Sequence, residues 1–165
     1  MKKSLCFALV LVLCLLCSCG SSGGSSSADD PTSVSLIELS YSVPASWEST
    51  LADETDPEAA LCGNMHTDVR GGLDLMVDRY SWSYNGGYTS AADELAAAGE
   101  VPLPADYKKD GAYIPGIKYK TDSGSWCYIY EIETDPAVFR LTFTLSGDAA
   151  ENEAAMSAVL ASCTW

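Results

Sequence analysis

Acid–base chemistry near neutral pH needs either a histidine or carboxylates held at unequal pKa values. This chain carries one histidine, His66, and 23 aspartates and glutamates. Among the latter, Asp74, Asp78, Glu131 and Glu133 fall in or beside segments with strand character, where a pair could flank a scissile bond as in glycoside hydrolysis. Strand alternation places such residues on the solvent side by default. No Ser–His–Asp signature and no Gly-rich phosphate loop accompanies them. Gly20-Ser21-Ser22-Gly23-Gly24 has the G-x-S-x-G spacing of a nucleophile elbow, but a low-complexity linker lacks the strand and helix that would strain and expose the serine. No catalytic residue is assigned. A small carboxylate-dependent hydrolase of the cell envelope is the alternative reading, not the leading one.

Metal chemistry has a similarly thin basis. Cys62 and His66 supply two ligands without a second pair at zinc-like spacing, so a surface or locally hydrogen-bonded histidine is expected. The acidic run Asp53, Glu54, Asp56 and Glu58 lacks the glycine and ligand order of a calcium loop and reads as a solvated face. No metal and no cofactor is predicted.

Binding chemistry has more to work with. In Arg79-Tyr80-Ser81-Trp82-Ser83-Tyr84-Asn85-Gly86-Gly87-Tyr88, Tyr80, Trp82 and Tyr84 share a face if the backbone is extended, and Asn85-Gly86-Gly87 is a turn signal. With Tyr88, these rings could stack on a glycan or anchor a protein partner. Ordinary burial beneath a following helix is the competing account, since an aromatic stripe at strand spacing usually belongs to a core. Lys118 and Lys120 alternate with Ile117 and Tyr119, which reads as a charged outer face blunting an edge strand.

The elements that must position these residues follow from periodicity. Val34 to Ser40 reads as a strand, and the chain stays extended through Tyr41 until Pro44 ends pairing. Gly72 to Tyr80 alternates, with Leu73, Leu75 and Val77 on one face and Asp74, Met76 and Asp78 on the other. Ser90 and Asp93 form an approximate capping box for a helix over Ala91 to Ala98, and Gly99 suits its stop. Strands follow over Ile117 to Thr121, Trp126 to Glu133 and Ala137 to Leu145, with a turn at Asp122-Ser123-Gly124. Asp148 and Glu151 cap a last helix whose stripe is Ala155, Met156, Val159, Leu160 and Cys163. This order predicts an α+β fold, an antiparallel sheet with helices packed on it.

The N-terminal segment carries an address. Lys2 and Lys3 precede an apolar run from Leu5 to Cys17, long enough for an export signal but short of the roughly 20 residues of a membrane-spanning helix. The run ends in Leu16-Cys17-Ser18-Cys19-Gly20, which resembles the lipobox of bacterial lipoproteins. That resemblance implies cleavage after Ser18 and a diacylglyceryl group on Cys19, whose two chains suffice for stable anchoring. The predicted organisation is a signal peptide over 1–18, a lipidated Cys19 and Gly/Ser-rich linker over 19–33, and one globular domain over 34–165. At a few ångströms times the square root of its length, the linker holds the domain roughly 20 Å from the membrane, on its extracytoplasmic side.

Without the signal peptide, 7 basic residues face 23 acidic ones, a net charge of −16. Such a balance repels nucleic acid and anionic headgroups. The membrane is therefore expected as a partner through the lipid alone. Four cysteines, Cys6, Cys14, Cys17 and Cys19, belong to the export segment, leaving Cys62, Cys127 and Cys163 in an oxidising compartment. Three pairings are open. A Cys62–Cys163 bridge stapling the last helix to the sheet is the expectation, with buried thiols as the alternative.

The strand leading into Tyr41-Ser42-Val43-Pro44-Ala45-Ser46-Trp47, a middle helix, a late meander and a closing helix ending near Ser162 to Trp165 resemble the PsbP-like domain. The resemblance covers about Ser33 to Trp165. It implies an α/β/α sandwich and the non-enzymatic binding or assembly roles typical of that family, and it brings no set of catalytic residues. The leading expectation is a lipid-anchored module on the outer face of the cell membrane that binds a protein or envelope glycan.

Overall fold

The computed structural model describes residues 30–51, 63–82, 88–109 and 111–165. The export segment, Cys19 and the linker through residue 29, the acidic run 53–58, Cys62 and Tyr84 lie outside the described residues, and the last linker residues, Thr32 and Ser33, already belong to the first strand. The architecture is α+β. Eleven described strands run β1 (Thr32–Ser35), β2 (Ser40–Val43), β3 (Glu48–Thr50), β4 (Asn64–Asp68), β5 (Leu73–Ser81), β6 (Leu103–Pro104), β7 (Tyr107–Lys109), β8 (Ala112–Ile114), β9 (Gly116–Lys120), β10 (Trp126–Glu133) and β11 (Ala137–Leu145). Two described helices, α1 (Ala91–Ala97) and α2 (Ala149–Ser162), complete the fold.

Seven strands form one antiparallel sheet in the order β3-β4-β5-β11-β10-β9-β6. At its centre, β11 pairs β5 along its whole length, from Ala137↔Ser81 to Leu145↔Leu73, and β10 from Trp126↔Leu145 to Glu133↔Val138. Because strand side chains alternate, this register puts Leu75, Val77, Tyr128, Tyr130, Leu141 and Phe143 on one face. There they form the main core with Met156, Val159 and Leu160 of α2 and with Val34, Tyr41 and Val43 of the β1–β2 hairpin. The Asp148 side chain accepts the N–H groups of Ala150 and Glu151, which starts α2. The opposite face carries α1, over a smaller cluster of Ala91, Cys127 and Ile129 flanked by Leu95, Ile117 and Tyr119.

Several expectations need correction. Val34 to Ser40 is not one strand: the Leu36 N–H bonds the Leu39 carbonyl at 2.7 Å and turns the chain into a hairpin, with Thr32↔Val43 through Ser35↔Ser40 in register. Strands β3, β4, β6, β7 and β8 were not foreseen. His66 is neither on the surface nor bonded to sequence neighbours but wholly buried on β4. Lys118 is not a bare outer charge: its Nζ lies 5.4 Å from the Trp126 ring centroid and 5.2 Å from that of Tyr128, and β6 pairs beside it. Asp78 is buried and Glu131 is half-buried, contrary to the default for strand carboxylates.

Candidate binding surface

Strand β5 ends at Ser81, so Tyr80 and Trp82 do not share one regular strand face. Tyr80 is half-buried above β11, opposite Val138. Trp82 turns outward and is 47% exposed, yet it is held at two points. Its backbone N–H donates to the Pro136 carbonyl at 3.1 Å, and its indole Nε1–H donates to the Thr134 carbonyl at 3.2 Å. Both acceptors lie in the β10–β11 turn, which is itself closed by the Thr134 N–H on the Ala137 carbonyl at 2.8 Å. Tyr88 returns to stand edge-on to Trp82, with centroids 5.4 Å apart, and tilted against Tyr80 at 5.7 Å. Tyr80, Trp82 and Tyr88 thus meet. Such edge-on pairs contribute about 1 kcal/mol each beyond their buried area.

Beneath these rings lies Arg140, which the sequence reading did not single out. Its Nε donates to Glu131 Oε1 at 2.9 Å and its Nη1 to Glu94 Oε2 at 2.9 Å. Its Nη2 donates to the Thr89 carbonyl at 2.8 Å. The guanidinium also stacks 5.0 Å from the Tyr80 centroid and 5.9 Å from that of Tyr88. Burial opposes its charge, but hydrogen bonds to Glu94 and Glu131 prevail and hold it firmly protonated. Glu131 Oε1 additionally accepts the Ala91 N–H at 3.0 Å, so one carboxylate ties the start of α1 to the sheet. Burial, then a hydrogen bond to Glu131, raises the Tyr88 hydroxyl. Burial also raises Tyr80, against the pull of Arg140. Both phenols therefore stay neutral and can donate.

This arrangement pairs the charged groups with one another beneath a fixed cluster of rings. Asp78 faces Arg140 across the strands, and burial raises its pKa although the Gly63 N–H, at 3.1 Å, favours the charged form. Arg140 stands between the register positions of Asp78 and Glu131, so the two carboxylates share a cation instead of a substrate-sized opening. Asp74 and Glu133 are exposed. His66 lies on the other face of the sheet, its ring nitrogens 2.8 Å from the Tyr41 hydroxyl and 2.7 Å from Ser49 Oγ. Among the described residues, no group of three metal-ligating side chains converges.

Comparison with known proteins settles the architecture. The chain superposes on the solution structure of cyanobacterial PsbP (CyanoP) from Synechocystis sp. PCC 6803 with a TM-score of 0.58, covering 88% of this chain and 98% of that one at 12% identity. The fold is PsbP-like. A Bacteroides thetaiotaomicron VPI-5482 protein aligns over 77% of this chain and 44% of its own length, at 15% identity and a TM-score of 0.46. No protein-family model and no curated protein matches the sequence. In this PsbP-like domain the Arg140 cluster and Trp82 occupy the sheet end where the β10–β11 turn closes, and the Pro44–Trp47 corner joins the main core through Trp47.

Proposed function

We propose that this chain is a lipid-anchored accessory module on the extracytoplasmic face of the cell membrane, binding a protein or envelope component through the Trp82 end of its sheet. The observation that carries the reading is the preordering of a half-exposed indole: Trp82 is tied to the β10–β11 turn and buttressed by Tyr88. An aromatic anchor already fixed in place loses little freedom on binding, which is how a small patch yields useful affinity. The anchor itself rests on the lipobox-like Leu16 to Gly20 sequence, with Cys19 as the lipidated residue. No described helix is long and apolar enough to cross a membrane. The PsbP-like fold is consistent with a binding or assembly role, and the acidic balance disfavours nucleic acid.

In-cell crosslinking of the anchored protein tests the reading, comparing wild type with Trp82→Ala after both are verified to fold and reach the membrane. A discrete partner captured by wild type and lost in the variant is expected. Capture unaffected by Trp82→Ala removes this surface from the function.

A further inference from the structure

Among the described residues, no strand pairs with the last residues of β10 on the side away from β11, although β8 packs near them. Strand β9 pairs β10 only from Trp126↔Lys120 to Tyr130↔Gly116. The Glu131 N–H still reaches the Pro115 carbonyl at 3.3 Å, but Pro115 has no N–H to return to the Glu131 carbonyl. In an antiparallel ladder both polar groups of a residue point to the same side, alternating along the strand. The Thr134 N–H bonds Ala137, so Glu133, one residue earlier, presents its N–H and carbonyl to the side that β9 has left. No described residue bonds them. Beside this open edge lies a furrow of about 360 Å³ lined by Tyr113, Ile114, Pro115, Ile132, Glu133 and Trp165. Tyr113 is 54% and Trp165 48% exposed. Gly116 keeps the bend beside the furrow tight, since a Cβ there would meet the Tyr130 ring at 2.5 Å.

We infer that this edge accepts an extended, basic peptide segment of a partner protein by strand addition. The Glu131 carbonyl and the Glu133 N–H and carbonyl supply backbone hydrogen bonds, and Tyr113 and Trp165 flank alternate side chains of the guest. Charge selects the guest. Glu133 and Asp135 are exposed at the edge, Asp106 bonds Tyr113 on the far side of the furrow, and the chain carries −14 overall. Lysine or arginine side chains meet attraction and a cation–π surface there, whereas acidic ones are repelled. The edge adjoins the β10–β11 turn that holds Trp82 but lies on the side of β10 away from β11.

The test is an amide and indole NMR titration of the full-length protein in neutral detergent with a synthetic octapeptide alternating lysine and valine. Shifts centred on the Glu131 to Glu133 amides and the Trp165 indole are expected. Affinity should fall roughly tenfold when alternate guest amides are N-methylated, the loss of about one net hydrogen bond. Glu133→Lys and Trp165→Ala should each weaken binding, and Met65→Ala, exposed on β4 toward the opposite edge of the sheet, should leave it intact. Affinity indifferent to N-methylation means nonspecific electrostatic adsorption and overturns the proposal, as does a titration that leaves these signals unmoved. Concentration-dependent shifts of the same amides without peptide would assign the edge to a second copy of the chain and likewise overturn it.

Discussion

Each face of the sheet buries one polar network, and the two differ in charge and in reach. On the α1 face, Arg140 is a full cation held by Glu131, Glu94 and the Thr89 carbonyl. On the α2 face, His66 sits fully buried between the Tyr41 hydroxyl and Ser49, with the Asn64 amide donating to the same hydroxyl at 3.3 Å. A buried charge is tolerated only when paired, whereas neutral groups need only hydrogen bonds. The charged network lies directly under the exposed aromatic patch and links α1, β5, β10 and β11. The neutral one lies deep in the core, fixing β4 to the β1–β2 hairpin and to β3. A charged network half open to solvent suits a surface whose rings must be held in one geometry, while a neutral one suits a core whose purpose is stability.

The sharpest way to break the comparison is to remove the cation. Arg140→Ala leaves Glu131 half-buried and Asp78 buried without their counter-charge and unties Thr89 and Glu94 from the sheet. A loss of about 3 kcal/mol in urea denaturation is expected, at the low end of the range for broken buried pairs because Glu94 is half exposed. Arg140→Lys keeps the charge but not the fork that reaches three acceptors, so it should recover only part. Equal losses for the two variants would show that charge is irrelevant to the network. The indole fluorescence of Trp82 should also change with Arg140→Ala, because Tyr88 loses its stacked support.

The core side also holds a cysteine. Cys163, at the end of α2, is buried in the core and electrostatically adjacent to Tyr41. We propose its pairing with Cys62, two residues before Asn64. Free Cys127 is buried against α1, and burial raises its thiol pKa. Thiol titration of the denatured, unreduced domain should therefore find one free thiol, and reduction should cost about 2–4 kcal/mol. Three free thiols would exclude the bridge.

Much of the frame was legible in the sequence. Strands β10 and β11 match their expected bounds, because runs such as Val138-Phe139 and Tyr128-Ile129-Tyr130 are too apolar for anything but a central strand. The Ser90 and Asp148 caps mark both helix starts. Strand β4 was hidden because its inward positions are Asn64 and His66, which read as loop residues until Tyr41 and Ser49 are known to satisfy them. The first hairpin was hidden because its turn, Leu36 to Leu39, contains neither Gly nor Pro. Arg140 is the instructive omission. Its partners lie 46 and 60 residues away at Glu94 and Tyr80, beyond any local pattern. A lone charge between Phe139 and Leu141 in the middle of an apolar strand was nevertheless a usable signal, since such a position demands a buried counter-charge.

The smallest effect separates the two networks by pH. Burial lowers the His66 pKa below its ordinary value, so the folded chain keeps the ring neutral while the unfolded chain protonates near pH 6.5. Below that point the unfolded state binds more protons, and stability declines as pH falls from about 6.5 toward the depressed folded value, then levels off. Asp78 acts in the opposite sense. Its folded pKa is raised by burial, so the folded state takes up its proton first and gains relative stability as pH falls through that raised value. Comparing wild type with His66→Gln in urea at pH 7 and pH 5.5 isolates the histidine, since Asp78 is common to both. The acid-induced loss should shrink in the variant. If His66→Gln retains the full loss, the imidazole already titrates normally in the fold, and the neutral character assigned to the core-side network is wrong.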